Sequence, residues 1–162
     1  MSLRIATRAD LPAVLELWQR PDYARMLGGP VVEDIAEVLE AGLLWLWEPE
    51  GAFEGFAALH VWNERDGAWS LAHFAISQPG QGEGRRFLNA LLTELFERRA
   101  IHRLSVDSAP DNTAALALWR QAGFVAEGCF RQCWRRADGS WTDSLIFALL
   151  APEYRATRSP GA

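Results

Sequence analysis

Apolar positions along this chain fall into short alternating runs and longer stretches with a three-to-four residue period, which divide it into strands and helices. Leu3 to Ala6 reads as a short strand. Thr7 or Asp10 then caps a helix carrying Leu11, Val14, Leu15 and Trp18 on one side. Pro21 and Gly28-Gly29-Pro30 mark a loop, and Asp34 to Leu43 gives a second amphipathic helix with Ile35, Val38 and Leu39 inward. After it the period becomes that of a sheet. The Leu-Leu-Trp-Leu-Trp run ending at Trp47 connects through Glu48-Pro-Glu-Gly51 to a strand from Ala52 to Trp62, and Asn63 to Gly67 leads on into Ala68 to Ile76. Three strands with such short links predict an antiparallel meander.

The next stretch organises the rest. Ser70 to Ile76 runs through Gly80, Gly82 and Gly84 into a helix whose apolar residues recur as Phe87, Leu88, Leu91, Leu92, Leu95 and Phe96. Glycine lets successive N–H groups turn toward one point, and the positive end of the helix dipole points there too, so strand, loop and helix form a candidate pyrophosphate cradle. Neither familiar phosphate signature fits: Arg85 and Arg86 follow Gly84 where a P-loop needs Lys and Ser or Thr, and the glycine spacing misses the dinucleotide fingerprint. A plain strand-to-helix turn is the alternative.

His102 to Asp107 reads as a strand joined to the one before the loop by a helical crossover, hence parallel to it. Pro110 stops it, Asp111 or Asn112 caps a further helix, and Gly123 supplies a left-handed C-terminal cap. Strands Val125 to Arg136 and Trp141 to Leu150 then form a hairpin across Ala137 to Ser140, where Asp138-Gly139 has the chemistry of a two-residue type I′ turn. From Ala151 the tail reads as frayed, 155–162 in particular.

With 162 residues, 49% of them hydrophobic, the chain makes one domain, 1–162, with a real core. A net charge of −5 without basic runs argues against nucleic acid and favours amine-bearing partners. No apolar run approaches the ~20 residues that span a bilayer, and the start lacks a leader pattern, so the expectation is a cytoplasmic protein with no membrane partner. Cys129 and Cys133, four apart on a strand, stand roughly 13 Å apart at ~3.3 Å per residue, too far to bridge. His60, His73 and His102 show no ligand spacing, so no metal is expected.

The order of these elements, the glycine loop before an amphipathic helix, and Asn112-x-x-Ala115-x-x-Leu118-Trp119-x-x-x-Gly123-Phe124 together resemble the GNAT superfamily of acyl-CoA-dependent N-acyltransferases. The ending Gly128-x-x-Arg131, Asp138-Gly139, Trp141-x-Asp143 looks most like the branch that includes the ribosomal-protein N-terminal acetyltransferases. The resemblance implies an α/β (α+β) fold with a mixed, mostly antiparallel central sheet flanked by helices. It implies acetyl-CoA as cosubstrate and no metal, and it leaves a homodimer open. It also implies that the amides of Gln81, Gly82, Glu83, Gly84, Arg85 and Arg86 surround the pyrophosphate, with Pro79 where the family loop has Gln or Arg. The strand before the loop would splay from the next, so that the backbone of Phe74, Ala75 and Ile76 pairs with pantetheine and one N–H faces the thioester oxygen. Asn112 matches the family asparagine near the pantetheine arm, and is equally a plain helix cap.

Trp119 occupies the position at which the superfamily often places a tyrosine that protonates the departing thiolate; indole is no such acid, and the residue also reads as core. His73 precedes the splayed strand end and reads either as a base or as a histidine satisfied within an apolar strand, the reading that also fits His60 beside Phe56 and Trp62. Asp143, set opposite Trp134 and diagonal to Arg136 by the hairpin register, reads first as an ion-pair partner and second as a holder of the substrate ammonium. The function expected is acetyl transfer from acetyl-CoA to a primary amine, on a protein N-terminus or a small molecule, by direct attack. Polyamine or aminoglycoside acetylation and a non-catalytic CoA-binding sensor are the alternatives.

Overall fold

The computed structural model describes residues 2–28 and 32–158. Gly29 and Pro30 of the expected loop, and the tail beyond residue 158, lie outside them. Strands β1 (Leu3–Ile5), β2 (Leu44–Trp47), β3 (Gly55–Asn63) and β4 (Ala68–Ile76) pair antiparallel in succession. β4 runs parallel to β5 (Arg103–Ser108), and the antiparallel hairpin of β6 (Val125–Arg135) and β7 (Trp141–Leu150) completes one sheet of order β1-β2-β3-β4-β5-β7-β6. The helices are α1 (Leu11–Trp18), α2 (Pro21–Leu27), α3 (Val32–Glu40), α4 (Glu83–Thr93), α5 (Thr113–Gln121) and α6 (Ala151–Arg158). The mixed, mostly antiparallel sheet is therefore as expected, and so is the parallel crossover through α4.

Alternation along the strands sends residues to two cores. Leu44, Leu46, Phe56, Ala58 and Ala75 pack under Val14, Leu17 and Trp18 of α1 and Ile35 and Leu39 of α3. Trp45, Trp47, Leu59, Leu71, Leu104 and Val106 face α4 and α5 on the other side, where Phe87, Leu88 and Leu91 are fully buried. Each such side chain contributes roughly 2–3 kcal/mol by leaving water, enough to fix α4 against β4.

Four readings are corrected. The stretch from Pro21 is not a loop but a helix, with Pro21 in the first turn where its missing N–H costs nothing. The tail is ordered through Arg158: Ala151 and Tyr154 are buried, and the Tyr154 hydroxyl donates to Glu97 at 2.7 Å. The hairpin turn is not the two-residue type. Gly139 N–H donates to Arg136 O at 2.9 Å and Arg136 N–H to Ser140 O at 2.8 Å, and among residues 137–139 only Gly139 has positive φ, giving a three-residue loop closed by a left-handed glycine. Arg136 does not pair with Asp143. It makes a bidentate contact with Asp111, at 2.5 and 2.8 Å, while Asp143 accepts from Gln132 N–H at 2.8 Å. The cause is a bulge: residues 131–133 of β6 lie between the pairs Phe130–Ser144 and Trp134–Thr142, opposite Asp143 alone, and Gln132 has φ of +47°.

Candidate active site

The sheet opens between its two parallel strands. Ala68 to Leu71 of β4 pair with Arg103 to Val106 of β5, and the pairing stops there. Against β3, Leu71 faces Leu59 and His73 faces Ala58, so Ala72 is an extra residue, and this bulge turns the end of β4 away while β5 continues along β7 to Ser108. Ser77 N–H donates to Glu54 O at 2.7 Å, which places the hydrogen-bonded pairs with β3 at Ser77 and Ala75. The peptide groups of Phe74 and Ile76 therefore point into the gap, whereas those of Ala75 point to β3. Ile76 already has a partner there that the sequence did not reveal: its N–H donates to the Tyr23 hydroxyl at 3.0 Å, and that hydroxyl donates to Ile76 O at 2.7 Å.

The glycine loop closes one end of the gap. Gly82, with φ of +85°, caps α4 without a side-chain bond, and Gly80 has φ of +87°; neither has an atom within 4 Å of where a Cβ would stand. Arg85 and Arg86 N–H bond Gly82 O at 3.1 and 3.2 Å, so the amides of Gln81, Gly82, Glu83 and Gly84 precede the internal ladder of the helix. Gly84 has a packing reason of its own: a Cβ there would stand 3.2 Å from Ile76 Cδ1. Glu83 accepts from the Trp47 indole at 3.0 Å and from Arg86 at 2.5 Å, while Arg85 is exposed. An uncapped N-terminus behind an unobstructed loop is a fitting seat for a pyrophosphate.

On the far side of the gap lies a groove of about 850 Å³, lined by residues of β3 to β7 and by Met26 to Gly28. Leu104 and Val106 turn inward, so alternation aims Arg103, Ser105 and Asp107 at the uncovered face. Asp107 is exposed, accepts from the buried Ser144 hydroxyl, and stands where β5 leaves β4. His73 lines the same groove against Trp18, ring centroids 4.3 Å apart, with Nδ1 buried and unpartnered. Burial pulls its pKa from 6.5 down to about 4, against the opposing pull of Asp107 and Asp34. His60 is exposed beside Trp62, edge to face at 5.2 Å, and not a core histidine.

The depressed His73 predicts a pH dependence of folding. The unfolded chain binds the extra proton between pH 6.5 and about 4, so stability falls as pH drops through that window, by about 3 kcal/mol in full. His73→Gln should flatten this limb in denaturant titrations. Asp10, whose pKa the Arg4 guanidinium lowers, contributes stability lost only below the usual carboxylate range, so the two effects separate. An unchanged limb in His73→Gln would mean that the imidazole titrates alike in the folded and unfolded chain.

Comparison with known proteins decides the family. The pattern of the acetyltransferase (GNAT) family matches residues 6–124. The chain belongs to this family. It is 30% identical over 87 residues to the [ribosomal protein uS5]-alanine N-acetyltransferase of Escherichia coli (strain K12), covering 52% of this chain and 44% of that one, less than half its length. An aminoglycoside N(6′)-acetyltransferase type 1 of Klebsiella pneumoniae is 26% identical, over 79% of this chain and 75% of that one. Among solved structures, the ribosomal-protein-S18-alanine N-acetyltransferase from Escherichia coli superposes with a TM-score of 0.76 at 26% identity, covering 93% of each chain. The spermidine N-acetyltransferase from Vibrio cholerae, solved with CoA and spermine, shares the fold at TM-score 0.82 and 19% identity over 95% of this chain and 97% of that one.

Within this GNAT chain the remaining candidates divide. Trp119, at 4% exposure, donates its indole N–H to Ser108 Oγ at 2.9 Å and meets the Phe74 ring edge to face at 5.9 Å. It is a core residue directly behind the gap. Asn112 caps α5 by accepting from Ala115 N–H at 3.3 Å and lines the groove as well. Asp143 is not among the groove residues. Asp107 went unnoticed because one carboxylate at a strand end carries no local signal; its alternation with Leu104 and Val106 could have flagged it. No helix among the described residues is long and apolar enough to cross a membrane.

Proposed function

We propose that this GNAT protein transfers the acetyl group of acetyl-CoA to a primary amine, and that the gap between β4 and β5 is where transfer occurs. One observation carries this: the parting of the two strands joins an uncapped helix N-terminus on one side to a groove holding Asp107 on the other. The amides of residues 81–84 receive the pyrophosphate, with Arg85 adding charge. Phe74 and Ile76 pair with the pantetheine arm, and the Phe74 N–H is the donor for the thioester oxygen as negative charge develops on it.

The acceptor enters through the groove. Asp107 attracts its ammonium; one proton passes to solvent to leave the neutral amine, and as that nitrogen attacks the carbonyl carbon its next proton passes to Asp107. His73, held neutral by burial and packed against Trp18 with Nδ1 buried, offers the ammonium no charge and forms the apolar wall beside it. With Trp119 engaged to Ser108, no phenol stands at the family acid position, and the thiol leaves as thiolate, which a pKa near ~8.5 permits. The exposed rings of Trp62 and Phe130 flank the groove and suit an acceptor with apolar or planar substance next to its amine, such as the first residues of a protein or a small amine. The acidic balance of the chain also keeps polyamines and aminoglycosides among the acceptors.

Thiol release from acetyl-CoA, measured with alanine-ended peptides, polyamines and aminoglycosides side by side, tests the reading. Amine-dependent release is expected with at least one class. Binding of acetyl-CoA without release in any class would reduce the protein to a CoA sensor.

A further inference from the structure

The contacts around Tyr23 go beyond this reading, though they rest on its assignment of Ile76 to the pantetheine arm. Ile76 is the last residue of β4 before the glycine loop, and its N–H and C=O face the gap. Tyr23 Oη accepts from that N–H at 3.0 Å and donates to that carbonyl at 2.7 Å. One hydroxyl thus offers the backbone of one residue both an acceptor and a donor, as a strand lying alongside β4 would do.

The short helix that carries Tyr23 reaches both lips of the gap. On the β4 lip, Arg20 Nη1 donates to Ser77 O at 2.5 Å, and its guanidinium sits 5.3 Å from the centre of the Tyr23 ring. On the other lip, Arg25 meets Asp111 at 3.4 Å, in the turn between β5 and α5. Between these ends α2 has seven residues, none of them buried, and it stops at Gly28 with φ of +74°. Its packing is partial: half-buried Tyr23 and Leu27 lie against the core under α1, and the Trp18 indole donates to Gly28 O at 2.9 Å. Polar contacts at its two ends therefore make up much of its hold.

We propose that Tyr23 is a built-in competitor of the cosubstrate: its hydroxyl occupies the Ile76 peptide until the amide-bearing pantetheine arm of acyl-CoA replaces it and displaces α2 from the gap. The competition has a sign that an ordinary binding residue does not share. Removing the hydroxyl leaves the Ile76 groups without their partner in the free protein only, so the variant should be less stable alone and bind cosubstrate more tightly. A tyrosine that contacts the ligand, or merely packs, would weaken binding or leave it unaltered.

The test is the dissociation constant of acetyl-CoA and of ADP, which carries the pyrophosphate without the arm, for wild type and Tyr23→Phe, together with the thermal midpoint of each free protein. Expected is an acetyl-CoA constant about three- to tenfold lower in Tyr23→Phe, an unaltered ADP constant, and a lower midpoint. Arg25→Ala, which frees the other end of α2, should tighten acetyl-CoA by about twofold. An acetyl-CoA constant that stays the same or rises in Tyr23→Phe overturns the proposal, as does equal tightening of ADP. If Tyr23→Phe does not fold, the Arg25→Ala constants decide on the same terms. Failure of wild type to bind acetyl-CoA at all would instead overturn the assignment of the gap on which the proposal stands.

Discussion

Acetyl-CoA should raise the thermal stability of the wild-type protein, and Gly82→Val should abolish that rise. At one hundred times its dissociation constant the ligand contributes about 2.7 kcal/mol, a shift of roughly 5–10 °C for a domain of this size. Gly82 holds φ of +85° with open space where a side chain would go, so valine meets no neighbour in the free protein. It does meet the cost of a left-handed β-branched residue, about 1–2 kcal/mol, and it places two methyl groups over the amides proposed to receive the phosphate. The free variant therefore unfolds somewhat earlier, and the reading is the ligand-dependent increment rather than the midpoint. Gly84 is the poorer site for this experiment: a Cβ would press on Ile76 Cδ1 at 3.2 Å and disturb the seat of α4 on β4 whether or not a ligand binds there. Retention of the full increment in Gly82→Val would remove the glycine loop from the cosubstrate site.

The parts of this molecule that were legible in the sequence are those in which one residue's chemistry acts within a turn or a strand of itself. Asn112 caps, Gly123 closes its helix at φ of +91°, and Phe87, Leu88, Leu91 and Leu92 set the buried face of α4. The order of elements and the glycine loop, read with the family resemblance, led to the sheet and to the expected parting of β4 from β5. What stayed hidden depends on a single inserted residue or on a partner far along the chain. Ala72 looks like any apolar strand residue, yet as a bulge it sets the place at which the strands separate. The bulge at residues 131–133 likewise took Asp143 from the position that a regular hairpin assigns it and gave it the Gln132 amide. α2 offers just under two turns without a buried residue, so periodicity had nothing to register, and the role proposed for Tyr23 lies in a contact 53 residues away. α6 is anchored mainly through Tyr154, stacked on Phe96 at 4.8 Å, in a segment whose composition otherwise resembles a loose tail.

Asp107→Asn should lower kcat/KM for the amine about 10²-fold or more near neutral pH while leaving acetyl-CoA affinity unaltered, because loss of a positioned proton acceptor typically costs 10²–10⁴. Asparagine is the informative replacement: its side-chain carbonyl still accepts from the Ser144 hydroxyl, which is buried at 1% exposure, so the contact with β7 survives and the charge alone is lost. The deficit should also depend on pH. An α-amine with pKa near ~8 is largely protonated at pH 7 and needs both the attraction and the base proposed for Asp107, whereas at pH 9 it is already neutral and needs only the base. The ratio of wild-type to variant rates should therefore shrink as pH rises, and the loss at low pH should fall partly on KM for the amine. His73 cannot take over, since burial keeps its imidazole neutral and its Nδ1 out of reach, so it supplies no charge for the ammonium. A purely structural Asp107 would behave otherwise: the variant would unfold at lower denaturant with its turnover intact, at every pH, and the carboxylate would then be no more than the partner of Ser144.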